Sequence, residues 1–392
     1  MQFKTELRKL FYKHLNMKKI LFVIAAVFLL TGCSDEKSFQ ISGSLSNFGN
    51  PLSATMIYLK TRTVDDLLIN IDSTFLKNDG AFTLKGKSTE TDLFFLADKD
   101  NVFFLRIFVE KGNKITISGN AKEFNNIKIE GSDTHALYDK YLLTLAEIEE
   151  KQEIIYHNYN TFKQDETITE IELAKIRENL TYQLQQLEEI SSKTTLDFIR
   201  THANSVVSSY LVYKNALSIN SSAEIEYQLQ LLEPSMNNKF LTLTRKHLER
   251  LKLIEPGKVF PNIELPDIEG NIISLESLRG KYILIDFWAT WCGPCVNEIS
   301  NLKKIYNKYH DKGFEIYGIS LDHNRESWIN GTTNYGLNWS NVSDLQAFNS
   351  PVVKQFVVTY IPHTFLLDPD GVILAVDIYG EKLEKKLSNV MN

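Results

Sequence analysis

The chain has 392 residues, 43% apolar and 23% charged, with 43 basic and 49 acidic side chains and a formal net charge of −6. That length predicts two or three domains, and the composition is that of a chain able to bury proper cores. The acidic balance argues against a nucleic-acid partner, which needs a basic footprint.

Residues 17–33 read MKKILFVIAAVFLLTGC. Lys18 and Lys19 form a short basic region, and Ile20 to Leu30 is an apolar run of eleven residues. A spanning helix needs about 20 apolar residues, so this run suits the core of a signal peptide instead. It ends in Leu30-Thr31-Gly32-Cys33, which resembles the bacterial lipobox. The resemblance implies cleavage before Cys33 and a lipid on its sulfur, making residues 1–33 a signal peptide and Cys33 a membrane anchor. Residues 1–16 are polar and basic and precede a second methionine that opens a complete signal, which favours Met17 as the true start. With Cys33 so assigned, only one pair of the three cysteines remains. No thiol is spare for a structural disulfide, although an exported protein is free to form one.

From residue 34 to about 132 the text reads as short strands and turns. Runs such as FQISGSL, ATMIYLK, AFTLKGK and KITISGN are rich in β-branched and aromatic residues, and Asn78-Asp79-Gly80 and Lys111-Gly112-Asn113 supply turns between them. Seven or so strands at this spacing predict an antiparallel sandwich or barrel. The stretches IDSTFLKNDGAFTLKG and FVEKGNKITISG resemble a small domain of unknown function found ahead of thioredoxin-like domains in bacterial lipoproteins. No catalytic constellation is visible in it.

The texture changes at about 133. No glycine occurs between Gly131 and Gly257, and within that stretch Pro234 is the only proline before Pro256. Apolar residues recur at helical spacing, as at Leu142, Leu145 and Ile148 and from Ile171 to Leu187, so residues 133–255 are read as five or six helices. A break is expected near Asn204. His135, His157, His202 and His247 are scattered without metal-ligand spacing, and no metal site is expected. The segment Glu255 to Gly270 carries three prolines and marks a boundary.

Beyond residue 256 strands and helices alternate. YILIDFW is a continuous apolar run, as in a strand buried on both faces. The run from Pro294 to His310 places Val296, Ile299, Leu302, Ile305, Tyr306 and Tyr309 on one helical face. Between strand and helix stand Cys292-Gly293-Pro294-Cys295. This β-α-β opening, ILIDFWATWCGPC, resembles the thioredoxin active-site segment, and FVVTYIPHTFLLDPDG resembles the segment that carries its cis-proline. The whole pattern is similar to the exported thioredoxin-like reductases of the TlpA or ResA type, in which Trp-Cys-x-x-Cys-x-x-Glu is followed far downstream by Pro-Thr-x-Phe.

The residues give that resemblance a physical content. A helix beginning just after Cys292 tolerates Pro294 in its first turn, and its unpaired amides and dipole stabilise a thiolate at Cys292. Cys292 is therefore the expected exposed nucleophile and Cys295 the more buried resolving thiol. Asp286, inside the apolar strand, is expected to carry a raised pKa and to take the Cys295 proton. Glu298 matches the acid of the exported reductases, and mutual repulsion between the two acids would raise one of their pKa values further. Trp291 is expected to form an apolar rim. Ile361-Pro362 is expected to be cis, with the Ile361 backbone pairing to extended substrate. His363 departs from the usual threonine and is read as a tolerated substitution.

The resemblance implies a lipid-anchored thiol–disulfide oxidoreductase of the bacterial cell envelope, facing the periplasm. It needs no cofactor beyond the Cys292–Cys295 pair and acts on disulfides of exported proteins. The Cys-Gly-Pro-Cys dipeptide favours reduction, since thioredoxin lies near about −270 mV and the oxidant DsbA near about −120 mV. A membrane thiol donor is then implied. Two alternatives stand beside this reading. A peroxiredoxin has a related fold but requires a Pro-x-x-x-Thr-x-x-Cys setting, and here Thr290 is only two residues before Cys292. A binding lipoprotein with a secondary redox domain would account for the large share of chain ahead of residue 256.

Overall fold

The computed structural model describes residues 37–48, 55–165, 167–219 and 221–391. The signal segment, Met17 and Cys33 lie outside the described residues. The described chain divides into two compact units, the first running to Thr195 and taking in Ser205–Val207, the second comprising Leu196–Asn204 and everything from Ser208.

The first unit opens with eight strands: β1 (Lys37–Ser46), β2 (Met56–Arg62), β3 (Leu68–Phe75), β4 (Ala81–Ser88), β5 (Asp92–Ala97), β6 (Phe104–Val109), β7 (Lys114–Asn120) and β8 (Lys128–Glu130). They form two four-stranded sheets, ordered β4-β1-β7-β8 and β3-β2-β5-β6. Alternate residues of several strands enter a shared core, Phe39 and Ile41 from β1, Ile57 and Leu59 from β2, Ile115 and Ile117 from β7, as the period of two requires. Of the two expected forms, this is the sandwich. The expectation of a wholly antiparallel domain needs one correction, because β1 and β7 pair in parallel. Parallel neighbours need a long crossover, and β2 to β6 supply it. The turn at Asn78-Asp79-Gly80 is as expected, and Gly80 is required there: its φ is +76°, and a Cβ would meet the Leu45 carbonyl oxygen at 2.3 Å.

Two 32-residue helices come next, α1 (Asp133–Gln164) and α2 (Glu170–Thr201). Ser132 caps α1 by accepting the His135 N–H at 2.9 Å. The buried face of α1 is Tyr138, Tyr141, Leu145 and Ile148, whereas Leu142 is exposed. The expected stripe is thus rotated, because the tyrosines carry the i, i+3, i+4 pattern that Leu142 was read into. His135 is buried, and the Phe108 N–H donates to its Nδ1 at 3.4 Å, on the edge strand β6.

The chain breaks after Thr201, as expected near Asn204, and continues in α3 (Val206–Ala216), α4 (Ser222–Gln230) and α5 (Lys239–Leu253). Ser221 and Asn238 cap the last two. Ala216, Ile225, Leu248, Leu251 and Ile254 belong to one core with Phe260, Ile283, Leu284 and Ile285. Helical texture therefore runs from 133 to 255, while compactness groups its later helices with the residues from 256 onward.

The C-terminal domain contains a hairpin, β9 (Glu264–Pro266) and β10 (Ile272–Ser274), then β11 (Tyr282–Trp288), α6 (Gly293–Tyr309), β12 (Phe314–Ser320), α7 (Arg325–Tyr335), β13 (Ser340–Val342), α8 (Pro351–Gln355), β14 (His363–Leu367), β15 (Ile373–Val376) and α9 (Gly380–Val390). Five strands form a sheet in the order β13-β12-β11-β14-β15. β11 to β13 are mutually parallel, and β14 runs against β11 and β15 against β14. β12 is buried at every residue and β11 at all but its first, which explains their unbroken apolar sequence. The central β11 points its carboxyl end at the cysteine turn.

Candidate active site

Residues 289–292 join β11 to α6, and a single carboxylate holds this turn. Asp322 lies just beyond β12 and is buried. It accepts the Thr290 hydroxyl at 2.6 Å, the Thr290 N–H at 3.2 Å and the Ser320 hydroxyl at 2.7 Å. α7 presses on the same residue, since a Cβ on Gly331 would meet Thr290 Cγ2 at 2.3 Å. Asp322 is not identifiable from motif spacing. Its only signal in the sequence is its place at the end of the strand that pairs with β11.

Cys292 and Cys295 are joined by a disulfide. Cys292 is the N-cap of α6, and its Sγ accepts the Cys295 N–H at 3.2 Å. Gly293 and Pro294 occupy the first turn, where the missing proline N–H leaves nothing unpaired. The expected difference in exposure is corrected: Cys292 is 5% exposed and Cys295 3%. What distinguishes the two sulfurs is the helix terminus, which aims its amides and dipole at Cys292 alone.

Asp286 pairs in register with Gly318 on one side and Thr364 on the other. It is 6% exposed, and burial, with the charge of Glu298 added, pushes its carboxyl up to about 7. Glu298 is half-buried rather than a freely solvated helix position. Its Oε1 accepts the Gly380 N–H at the start of α9 at 2.8 Å, and its Oε2 accepts Asn301 Nδ2 at 3.2 Å.

The Ile361-Pro362 bond is cis. The β11–β14 ladder ends at the Phe287–His363 pair, so the Ile361 backbone lies outside it. His363 is buried, and its Nδ1 sits 2.8 Å from Asp377 Oδ1. The Tyr379 hydroxyl is 2.8 Å from the Pro362 carbonyl oxygen and 3.0 Å from Asp377 Oδ1. The Tyr360 hydroxyl donates to Asp377 Oδ2. Burial alone would raise the Asp377 carboxyl, but the adjacent His363 imidazole and the hydroxyls of Tyr360 and Tyr379 outweigh it and hold it below the ordinary value. Burial and the adjacent Asp377 carboxylate push Tyr379 up. Trp291 is exposed beside Cys292, with its ring centroid 6.3 Å from that of Phe348. Phe348 joins the expected rim although no sequence motif marks it.

Among the described residues no group of His, Cys, Asp or Glu could hold a metal ion, and no helix is long and apolar enough to cross a membrane.

Comparison with known proteins bears on each region. The AhpC/TSA family profile matches residues 256–376. A domain of unknown function, DUF4369, matches residues 39–138. The prokaryotic membrane lipoprotein lipid attachment site matches residues 17–34. The thiol-disulfide oxidoreductase ResA of Bacillus cereus is 31% identical over 150 residues, covering 38% of this chain and 84% of the relative. ResA of Bacillus subtilis is 31% identical over 139 residues, covering 36% of this chain and 75% of the relative. A solved thiol-disulfide oxidoreductase from Bacteroides fragilis is 38% identical and covers 34% of this chain and 99% of its own, with a TM-score of 0.33.

Proposed function

The chain belongs, through its C-terminal domain, to the ResA-type thiol-disulfide oxidoreductases, and from that premise we propose that it reduces disulfides of exported proteins while held to the cell envelope by lipid on Cys33. The observation that carries the proposal is the N-cap position of Cys292 on α6, with the buried carboxyl of Asp286 in the strand that leads to it. In the reduced enzyme the Cys292 thiolate attacks one sulfur of the substrate disulfide. That bond breaks, a mixed disulfide forms, and the other substrate sulfur leaves as a thiolate that takes a proton. Cys295 passes its proton to Asp286 and attacks the Cys292 sulfur. The second substrate sulfur leaves, and the Cys292–Cys295 disulfide remains. Two electrons have moved from the enzyme to the substrate, and a membrane thiol donor restores them. Trp291 and the Ile361-Pro362 loop receive the polypeptide around the reacting sulfur.

Three things support this reading: the placement of Asp286, the ResA relatives, and the Cys-Gly-Pro-Cys sequence, which favours the reducing direction. One observation favours a second reading. The AhpC/TSA profile covers the domain, so a peroxidase is the competing enzyme. Assays on one preparation separate them. Insulin reduction driven by a small dithiol, without comparable hydrogen peroxide turnover, supports the reductase. The reverse preference sinks it.

Anchoring has its own test. Cys33→Ser is expected to move the protein from the membrane fraction to the soluble fraction after lysis. One acyl chain binds only marginally, so stable retention in the wild type requires more than one. Unchanged fractionation of the variant would remove Cys33 as the anchor.

A further inference from the structure

Three hydroxyl or imidazole groups converge on one carboxylate beside the cis-proline. Tyr360 and His363 bracket Ile361-Pro362 in the chain, and both contact Asp377, His363 through Nδ1 at 2.8 Å and Tyr360 through its hydroxyl. The single Tyr379 hydroxyl proton is shared between the same carboxylate and the Pro362 carbonyl, at 3.0 and 2.8 Å. The two ends of the loop and its middle are thus tied to Asp377. Asp377 itself is held at φ +51°, a left-handed conformation that is uncommon for a residue with a side chain and that persists where the surroundings enforce it. Its N–H donates to the Thr364 carbonyl at 2.9 Å, and the Thr364 hydroxyl is bonded to both main-chain groups of Ile378, at 3.0 and 3.1 Å. Asp377 is therefore fixed to β14, next to the loop it gathers.

We propose that Asp377 is a positioning residue for polypeptide substrates: its carboxylate, clamping Tyr360, His363 and Tyr379, holds the Ile361 backbone ready to pair with an extended chain beside its disulfide. The clamp rests on the oxidoreductase reading and deepens it. It explains His363, because threonine at that position would reach Asp377 less far than an imidazole does. It concerns binding rather than sulfur chemistry, since Asp377 makes its bonds to the loop and to β14.

The test uses the full chain in detergent, with insulin as substrate and a small dithiol as reductant. Glycine adopts φ +51° without strain, so Asp377→Gly removes the carboxylate and leaves the backbone at ease. KM for insulin is expected to rise about tenfold with kcat held within about twofold, the signature of lost binding rather than lost chemistry. Asp377→Asn keeps an acceptor oxygen and tolerates the left-handed backbone, and should recover most of the KM. If Asp377→Gly does not fold, Tyr379→Phe removes one arm of the clamp and should raise KM about threefold. A folded Asp377→Gly with unchanged KM, or with kcat lowered and KM unchanged, overturns the clamp. So does an Asp377→Asn variant no better than Asp377→Gly. A wild-type chain that reduces no insulin overturns the oxidoreductase reading beneath it, which is a separate result.

Discussion

Cys295→Ser is expected to attack a substrate disulfide once and stop there, covalently joined to it through Cys292, whereas Cys292→Ser should show no turnover at all. The asymmetry arises at one end of α6. The Cys292 sulfur sits where the helix presents unpaired amides and its positive dipole end, and it accepts the Cys295 N–H at 3.2 Å. Freed by reduction, it should titrate below the ordinary thiol value of about 8.5. Cys295 is one turn further into the helix and buried, and the negative charges of Asp286 and Glu298 oppose a second anion there. It should titrate above that value. Exposure does not separate the two sulfurs, so reactivity must. Alkylation rates against pH on the two single-cysteine variants measure it directly. If Cys295 proves the faster sulfur near neutral pH, the roles are reversed and the proposed mechanism is wrong. The stalled mixed disulfide of Cys295→Ser, captured on a non-reducing gel, would also identify the physiological substrates.

Asp286→Asn should make the oxidised protein more stable and the enzyme slower. Burial lifts this carboxyl from 3.8 to about 7. The folded state therefore holds a proton that the unfolded chain releases, and folding loses stability as pH rises from about 4 to about 7. Above that window the full penalty of a buried charge is present, about 4 kcal/mol for a shift of this size. Asparagine carries no such charge. The variant should match the wild type near pH 4 and exceed it by about that amount at pH 8. All four tryptophans, Trp288, Trp291, Trp328 and Trp339, lie in the C-terminal domain, so their fluorescence during urea unfolding reports on this domain. Equal stabilities at pH 8 would mean that Asp286 is not buried as a charge. In the reaction, resolution of the mixed disulfide should slow on the order of 100-fold, a usual contribution for a general base. The first attack should change less, because only the second step needs Cys295 deprotonated.

The site was legible where the chemistry is local in sequence. Cys292, Cys295, Asp286 and Glu298 lie within thirteen positions of one another on one strand, one turn and one helix. Strand and helix periods place such residues without knowledge of the rest of the fold. The same periods gave the order of strands and helices beyond residue 256 and the break near Asn204. What escaped depends on distant chain. Asp322 anchors Thr290 from 32 positions away, and Asp377 gathers Tyr360 and His363 across a reversal of the sheet. A carboxylate that ends a strand looks the same in sequence whether it faces water or collects three donors. The parallel pairing of β1 with β7 escaped for a related reason, since alternation within a strand specifies its faces but not its partner. The grouping of α3 to α5 with the redox domain was hidden because helical texture says nothing about which core a helix joins.

Glu298 holds the first main-chain N–H of α9 with one oxygen and lends its charge to Asp286. One side chain therefore serves two roles, and different substitutions separate them. Glutamine would keep the acceptor for Gly380 and surrender the charge. Alanine would surrender both and leave the last helix of the domain without a partner for its opening amide. Drift at position 298 can thus give up the redox tuning and keep the architecture. Aspartate, one methylene shorter, would do the reverse, keeping a negative charge while drawing its oxygens back from the Gly380 amide.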